Sequence, residues 1–198
     1  MGYQAIPGAT AIGVVFKDGI ILAAEKRMSY GGFITAKTVK KVFKISDRVG
    51  AACAGGVADI QEIIRRVRYI LRLKELETGA RPSVVSVAKL TSIMLFQNRL
   101  FPLMAQIIIG GCVDRPQIFS LDPLGSLVED KYIAIGSGEE IAMGVLESGY
   151  KKDMSKEGAR ELVLKSIRAA IGRDAASGDG VDMLMITKDE IREESISF

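Results

Sequence analysis

A chain of 198 residues with 48% hydrophobic and 26% charged side chains can bury one substantial core and is too short for two ordinary domains. Its 27 basic and 24 acidic residues leave a net charge of +3, too even a balance for a dedicated nucleic-acid binder. It contains no histidine, which excludes Ser-His-Asp and Cys-His catalysis and histidine-ligated metal sites. Any acid-base chemistry must come from Lys, Asp, Glu, Tyr or a terminal amine.

After a head from Met1 to Gly8, the runs TAIGVVF and IILAAEKRM flank Lys17-Asp18-Gly19 and predict a β-hairpin. A second strand pair is expected over about 33–45 and 48–54, closing on Gly55-Gly56. The period then changes. Ile60, Ile63, Ile64, Val67, Ile70 and Leu71 share one helical face from Asp59 to near Gly79, and Pro82-Ser83 opens a second helix to about Leu100. MAQIIIGGCV, PQIFSLDP and SLVEDKYIAIG predict strands, followed by helices after Gly138 and from Ser155 to about Ile171. VDMLMIT and IREESIS end the chain as a hairpin. Strands and paired helices alternate in blocks, a pattern that suits an α+β fold with two packed sheets and helices outside, a four-layer αββα sandwich.

No linker or repeat interrupts this order, so a single domain is expected. The apolar runs are too short to cross a bilayer and no signal-peptide pattern precedes the first strand, which points to the cytoplasm and to no membrane partner. Cys53 and Cys112 lie in apolar stretches outside any CxxC pair, as buried free thiols do. Lys37, Lys40 and Lys44 have the pattern of a solvated strand face, the GSG at Ser137 that of a helix-capping turn, and Asp179-Gly180 that of a turn.

The segment ATAIGVVFKDGIILAAEKRMSYGGFITAKTVKKVFKISDRVGAACAGGVAD resembles the amino-terminal half of archaeal 20S proteasome β-type subunits, and GSG, VLESGY and RDAASGDGVD extend the likeness along the chain. The resemblance implies the αββα fold of N-terminal-nucleophile hydrolases. It also implies seven-membered β rings between rings of α subunits, a regulatory ATPase acting through the α rings, unfolded polypeptide as substrate, and no cofactor or metal. In this family a mature N-terminal threonine attacks the peptide carbonyl, and its own α-amine, with an ordinary pKa near ~8, serves as base. A lysine lowers the cost of negative charge beside the hydroxyl, an acid positions the lysine, and a glycine N–H stabilises the oxyanion.

Carried over without gaps, the resemblance assigns the acid to Glu25, the lysine to Lys41, the oxyanion glycine to Gly55 and the supporting polar groups to Ser137, Asp174 and Ser177. Arg27 also fits. Ser29 falls on the edge that aligns substrate, and Met28, Val39, Cys53 and Val57 fall in the side-chain pocket, an apolar set. The nucleophile position falls on Ala9, and the nearest hydroxyl, Thr10, comes one residue later. Neighbouring side chains on a strand point to opposite faces, which turns Thr10 away from Lys41. One resolution shortens the strand by a residue, removes 1–9 as a propeptide and makes Thr10 the nucleophile of a threonine endopeptidase occupying 10–198. A second keeps 1–9 as an arm on a silent subunit that completes rings with an active β paralogue. In a third, Ala9 is a replacement that disables the enzyme.

Overall fold

The computed structural model describes residues 8–30 and 33–198. The head expected over 1–9 therefore lies, up to residue 7, outside the described residues.

Two five-stranded antiparallel sheets stack face to face. The first is ordered β10-β1-β2-β11-β12, from β1 (Thr10–Phe16), β2 (Gly19–Glu25), β10 (Tyr132–Gly136), β11 (Val181–Thr187) and β12 (Ile191–Ile196). The second is ordered β5-β6-β7-β8-β9, from β5 (Val42–Lys44), β6 (Val49–Gly55), β7 (Ala105–Cys112), β8 (Pro116–Leu121) and β9 (Leu127–Asp130). Helices α1 (Val57–Thr78) and α2 (Val84–Gln97) cover the second sheet, while α3 (Glu139–Gly149) and α4 (Lys156–Ile171) cover the first. This is the α+β, four-layer αββα sandwich expected from the sequence.

Three apolar layers follow from strand alternation. On β1, Ile12 and Val14 face α3 and α4, whereas Ala11, and Ala9 just ahead of the strand, face the interior between the sheets with Ile20, Leu22, Ile108 and Ile118. A third layer joins Val49, Ala51 and Cys53 to Ile60, Ile63 and Val67 of α1. Each wholly buried Ile or Leu contributes roughly 1.5–3 kcal/mol of burial free energy.

Local signals set the helix ends. Ser83 Oγ accepts the N–H of Ser86 at 3.1 Å to open α2, and Ser155 Oγ accepts that of Gly158 at 3.1 Å to open α4. Gly79 closes α1 in the left-handed conformation. Two boundaries differ from expectation. The stretch 33–45 is not one strand: β3 (Met28–Tyr30) and β4 (Phe33–Ala36) form a separate two-stranded ribbon, and the chain restarts at β5. SLVEDKYIAIG also divides, because β9 pairs with β8 in one sheet and β10 with β1 in the other. The chain changes sheets at Lys131, whose carbonyl accepts the N–H of Val15 at 2.8 Å.

Candidate active site

The residues singled out in the sequence converge where β2, β6 and β10 end and β1 begins. Glu25 closes β2, Lys41 precedes β5, and Gly55 closes β6. Ser137 lies in the β10–α3 turn, and Asp174 and Ser177 lie in the connection from α4 to β11. They form two polar clusters.

In the first cluster, Lys41 Nζ donates to Glu25 Oε1 and to the carbonyl of Arg27. Glu25 is wholly buried and Lys41 is 2% exposed. The other carboxylate oxygen of Glu25 accepts the backbone N–H of Arg27 at 2.6 Å and of Gly178 at 3.0 Å. Burial pushes the Glu25 carboxyl above its ordinary value, against the opposing pull of Lys41 and the two N–H donors. Burial likewise lowers Lys41, against the attraction of Glu25 and of the Asp174 carboxylate. Arg27 Nε donates to Asp179 Oδ2 at 2.8 Å and its Nη1 to the carbonyl of Ala175 at 3.1 Å. That grip fixes the segment whose carbonyl receives Lys41.

The second cluster centres on Asp174. Ser137 Oγ and Ser177 Oγ donate to Asp174 Oδ2 at 2.5 and 2.6 Å, and the N–H of Ala176 donates to Oδ1 at 3.1 Å. Because each serine has one proton and gives it to the carboxylate, both hydroxyls are left as acceptors. Ser137 Oγ accepts the backbone N–H of Ala9 at 3.1 Å. Ser177 Oγ lies 2.8 Å from Thr10 Oγ1 and takes its proton. Thr10 is wholly buried and its Cα pairs with Gly136 of β10. Its hydroxyl lies on the α3–α4 side of β1, beside Gly138, while Ala9 next to it faces the layer between the sheets.

Gly55 has φ +127°, and a side chain there would stand 2.1 Å from the Met104 carbonyl oxygen, so the position admits glycine alone. Met28, Ser29, Val39 and Val57 are half-buried. Cys53 is wholly buried among the residues that pack on α1, and burial raises its thiol pKa. Lys37 and Lys40 are exposed and pair with Asp179 and Glu193. Gly138 caps α3 and Ser137 makes no capping bond there, its hydroxyl being engaged with Asp174. Among the described residues no cluster of three His, Cys, Asp or Glu side chains could hold a metal ion.

Two contributors escaped the sequence. Asp179, with φ +66°, is a turn residue and also the anchor of Arg27. Gln106, a lone amide in an apolar strand, accepts the N–H of Gly136 at 2.9 Å and so holds the β10 end that Thr10 pairs with. A polar side chain interrupting AQIIIGGC was its only signal.

The family model for proteasome subunits matches residues 7–186. Proteasome subunit beta 1 of Ignicoccus hospitalis is 50% identical over 180 residues, 91% of each chain. Proteasome subunit beta 1 of Hyperthermus butylicus is 46% identical over the full length of both chains, and proteasome subunit beta 2 of Thermofilum pendens is 48% identical over 97% of this chain and 94% of its own. With its four-layer fold and its buried lysine–carboxylate pair, the chain belongs to the proteasome subunit family.

Proposed function

We propose that the chain is a β subunit of the 20S proteasome core that completes its ring and does not itself cut peptide bonds. The observation that carries this is the pairing at the start of β1. Ala9 is the residue in the nucleophile register, its methyl group has no attacking atom, and the Thr10 hydroxyl is committed to Ser177 on the opposite face of the strand. The pairing of β1 with β2 runs without a bulge from Ala11↔Ala24 to Phe16↔Gly19, so no shortened strand brings Thr10 round. With Ala9 ahead of it, the Thr10 nitrogen is a peptide nitrogen and has no basic lone pair to take a proton.

In this role Lys41, Glu25, Ser137, Asp174 and Ser177 are structural. They tie β1, β2, β5, the β10–α3 turn and the α4–β11 connection together with every buried side-chain polar atom paired, among the described residues. Hydrolysis is left to a sibling β subunit in rings stacked between α rings, fed with unfolded polypeptide through a regulatory ATPase. The intact Lys41–Glu25 pair favours one second reading, in which residues 1–9 are removed and Thr10 works as a terminal nucleophile.

Thr10→Val in particles assembled with an active sibling separates the two. The silent role predicts an unchanged peptide-hydrolysis rate per particle, with the loss of one buried hydrogen bond costing about 1 kcal/mol. A rate that drops by this subunit's share would establish Thr10 as a nucleophile and end the silent assignment.

A further inference from the structure

The two halves of the site stand on different sheets. Ala9 leads into β1 of the first sheet, and Gly55 ends β6 of the second. Apolar packing holds the sheets together but is non-directional. Directional ties cross between them on either side of the site. In their sheets β1 lies between β10 and β2, and β6 lies between β5 and β7. On one side Lys41, just before β5, bonds Glu25 at the end of β2. On the other, Gln106 of β7 accepts the N–H of Gly136, the last residue of β10, at 2.9 Å. Ala9 and Gly55 lie between the two ties.

Gln106 interrupts the apolar layer between the sheets. Ala105, Ile107 and Ile109 of β7 pack toward α1 and α2 and Ile108 packs between the sheets, so alternation sets Gln106 on the face of Ile108. A half-buried amide there is unfavourable unless both of its ends are bonded. Both are. Its oxygen accepts the Gly136 N–H, and its NH2 group hydrogen-bonds the carboxylate of Glu139, the first residue of α3. Gly136 touches both halves of the site. Its φ is +98°, and a Cβ on it would stand 2.0 Å from the Ala9 carbonyl oxygen and 2.9 Å from Cβ of Ala54, the neighbour of Gly55. Ala54 is also the residue that pairs with Gln106 across β6 and β7. The next residue, Ser137, accepts the Ala9 N–H at 3.1 Å. The turn that Gln106 tethers therefore meets Ala9 at both its N–H and its carbonyl.

We infer that Gln106 is a positioning residue, fixing residue 9 against Gly55 so closely that a hydroxyl on residue 9 is what the site lacks. This rests on the proposed reading that puts Ala9 in the nucleophile register. Leucine would fill the same layer with little change in volume. It would also leave the Gly136 N–H to Glu139 alone, which already draws on it, and so release the turn toward α3. A displacement of that kind, on the order of 1 Å, is enough to lose about a hundredfold in rate where reacting groups must meet.

The experiment restores the hydroxyl with Ala9→Thr, in particles whose sibling β subunit has its own nucleophile replaced by alanine, so that any hydrolysis belongs to this chain. Native electrophoresis confirms assembly, and the readouts are peptide hydrolysis and intact mass after exposure to a peptide epoxyketone. Expected are a chain cut after Gly8, one bound inhibitor molecule and measurable hydrolysis. Adding Gln106→Leu should lower kcat by at least about tenfold and change KM by less than about twofold. The exchange Gln106→Glu with Glu139→Gln keeps an acceptor for Gly136 and reverses the side-chain bond, so it should recover most of the lost kcat. Assembled Ala9→Thr particles that stay inert, or a Gln106→Leu variant with unchanged kcat, overturn the inference and leave the silent role standing. An inhibitor molecule on Thr10 of the wild-type chain removes the silent role and this inference with it.

Discussion

Replacing Lys41 with Met strands the Glu25 carboxylate, because among the described residues the lysine supplies its only opposite charge within hydrogen-bond reach. Breaking a buried ion pair from one side costs about 3–5 kcal/mol. Glu25 keeps the N–H groups of Arg27 and Gly178, which places the expected loss at the lower end, about 3 kcal/mol. For a domain of this size that lowers the melting temperature by about 6–12 °C. The sign with pH follows from which form the fold prefers. In the wild type, burial already raises Glu25, and the attraction of Lys41 opposes it. Without the lysine the folded-state value rises further above the unfolded one, so the folded variant binds the proton more tightly. Its stability is fullest below the ordinary glutamate pKa and is lost as pH rises through the raised folded-state value. Urea melts at pH 5 and pH 8 are the assay, with the larger deficit expected at pH 8. Adding Glu25→Gln should recover part of the loss, since a neutral amide oxygen still accepts both N–H groups. A deficit under about 1 kcal/mol, or one equal at both pH values, would refute the view of this pair as a buried structural clamp.

Two further perturbations probe the same region and the surface. A Cβ at Gly138 would lie 2.2 Å from Thr10 Oγ1, so Gly138→Ala should destabilise by about 1–3 kcal/mol, and by less in a Thr10→Ala background. Equal costs in both backgrounds, measured by denaturant melts, would mean the Thr10 hydroxyl is not where the close contact arises. On the surface, hydrogen bonds from Arg27 and Arg160 hold Asp179 and Glu194 below the ordinary carboxylate range. Their folded-state values lie below the unfolded ones, so the stability they give is complete above about pH 5 and fades as pH falls through the folded values. Arg27→Met and Arg160→Met should each flatten the acid limb of the pH–stability curve, and a limb of undiminished steepness would count against both pairs.

The layers and the helices were legible because burial imposes periodicity: Ile60, Ile63, Ile64 and Val67 mark α1, and alternation on β1 separates Ile12 from Ala11. The sheet change at Lys131 was not. A single residue redirects the chain there, and a one-residue connection leaves no composition signal between two apolar runs. The lysine, the carboxylates and the serines at the site came from family resemblance, since Lys41 among Lys37, Lys40 and Lys44 looks like any basic strand residue. Only the fold brings it to Glu25, 16 residues earlier in the chain. The opposite orientations of Ala9 and Thr10 were legible from strand geometry alone. The engagement of the Thr10 hydroxyl by Ser177, 167 residues away, was not.

The most direct test of the silent role is the intact mass of this subunit taken from assembled particles after exposure to a peptide epoxyketone, which adds covalently to a terminal threonine through its amine and hydroxyl. A chain that still carries Ala9 and gains no adduct is expected. A chain beginning at Thr10 and carrying one inhibitor molecule would contradict the silent role.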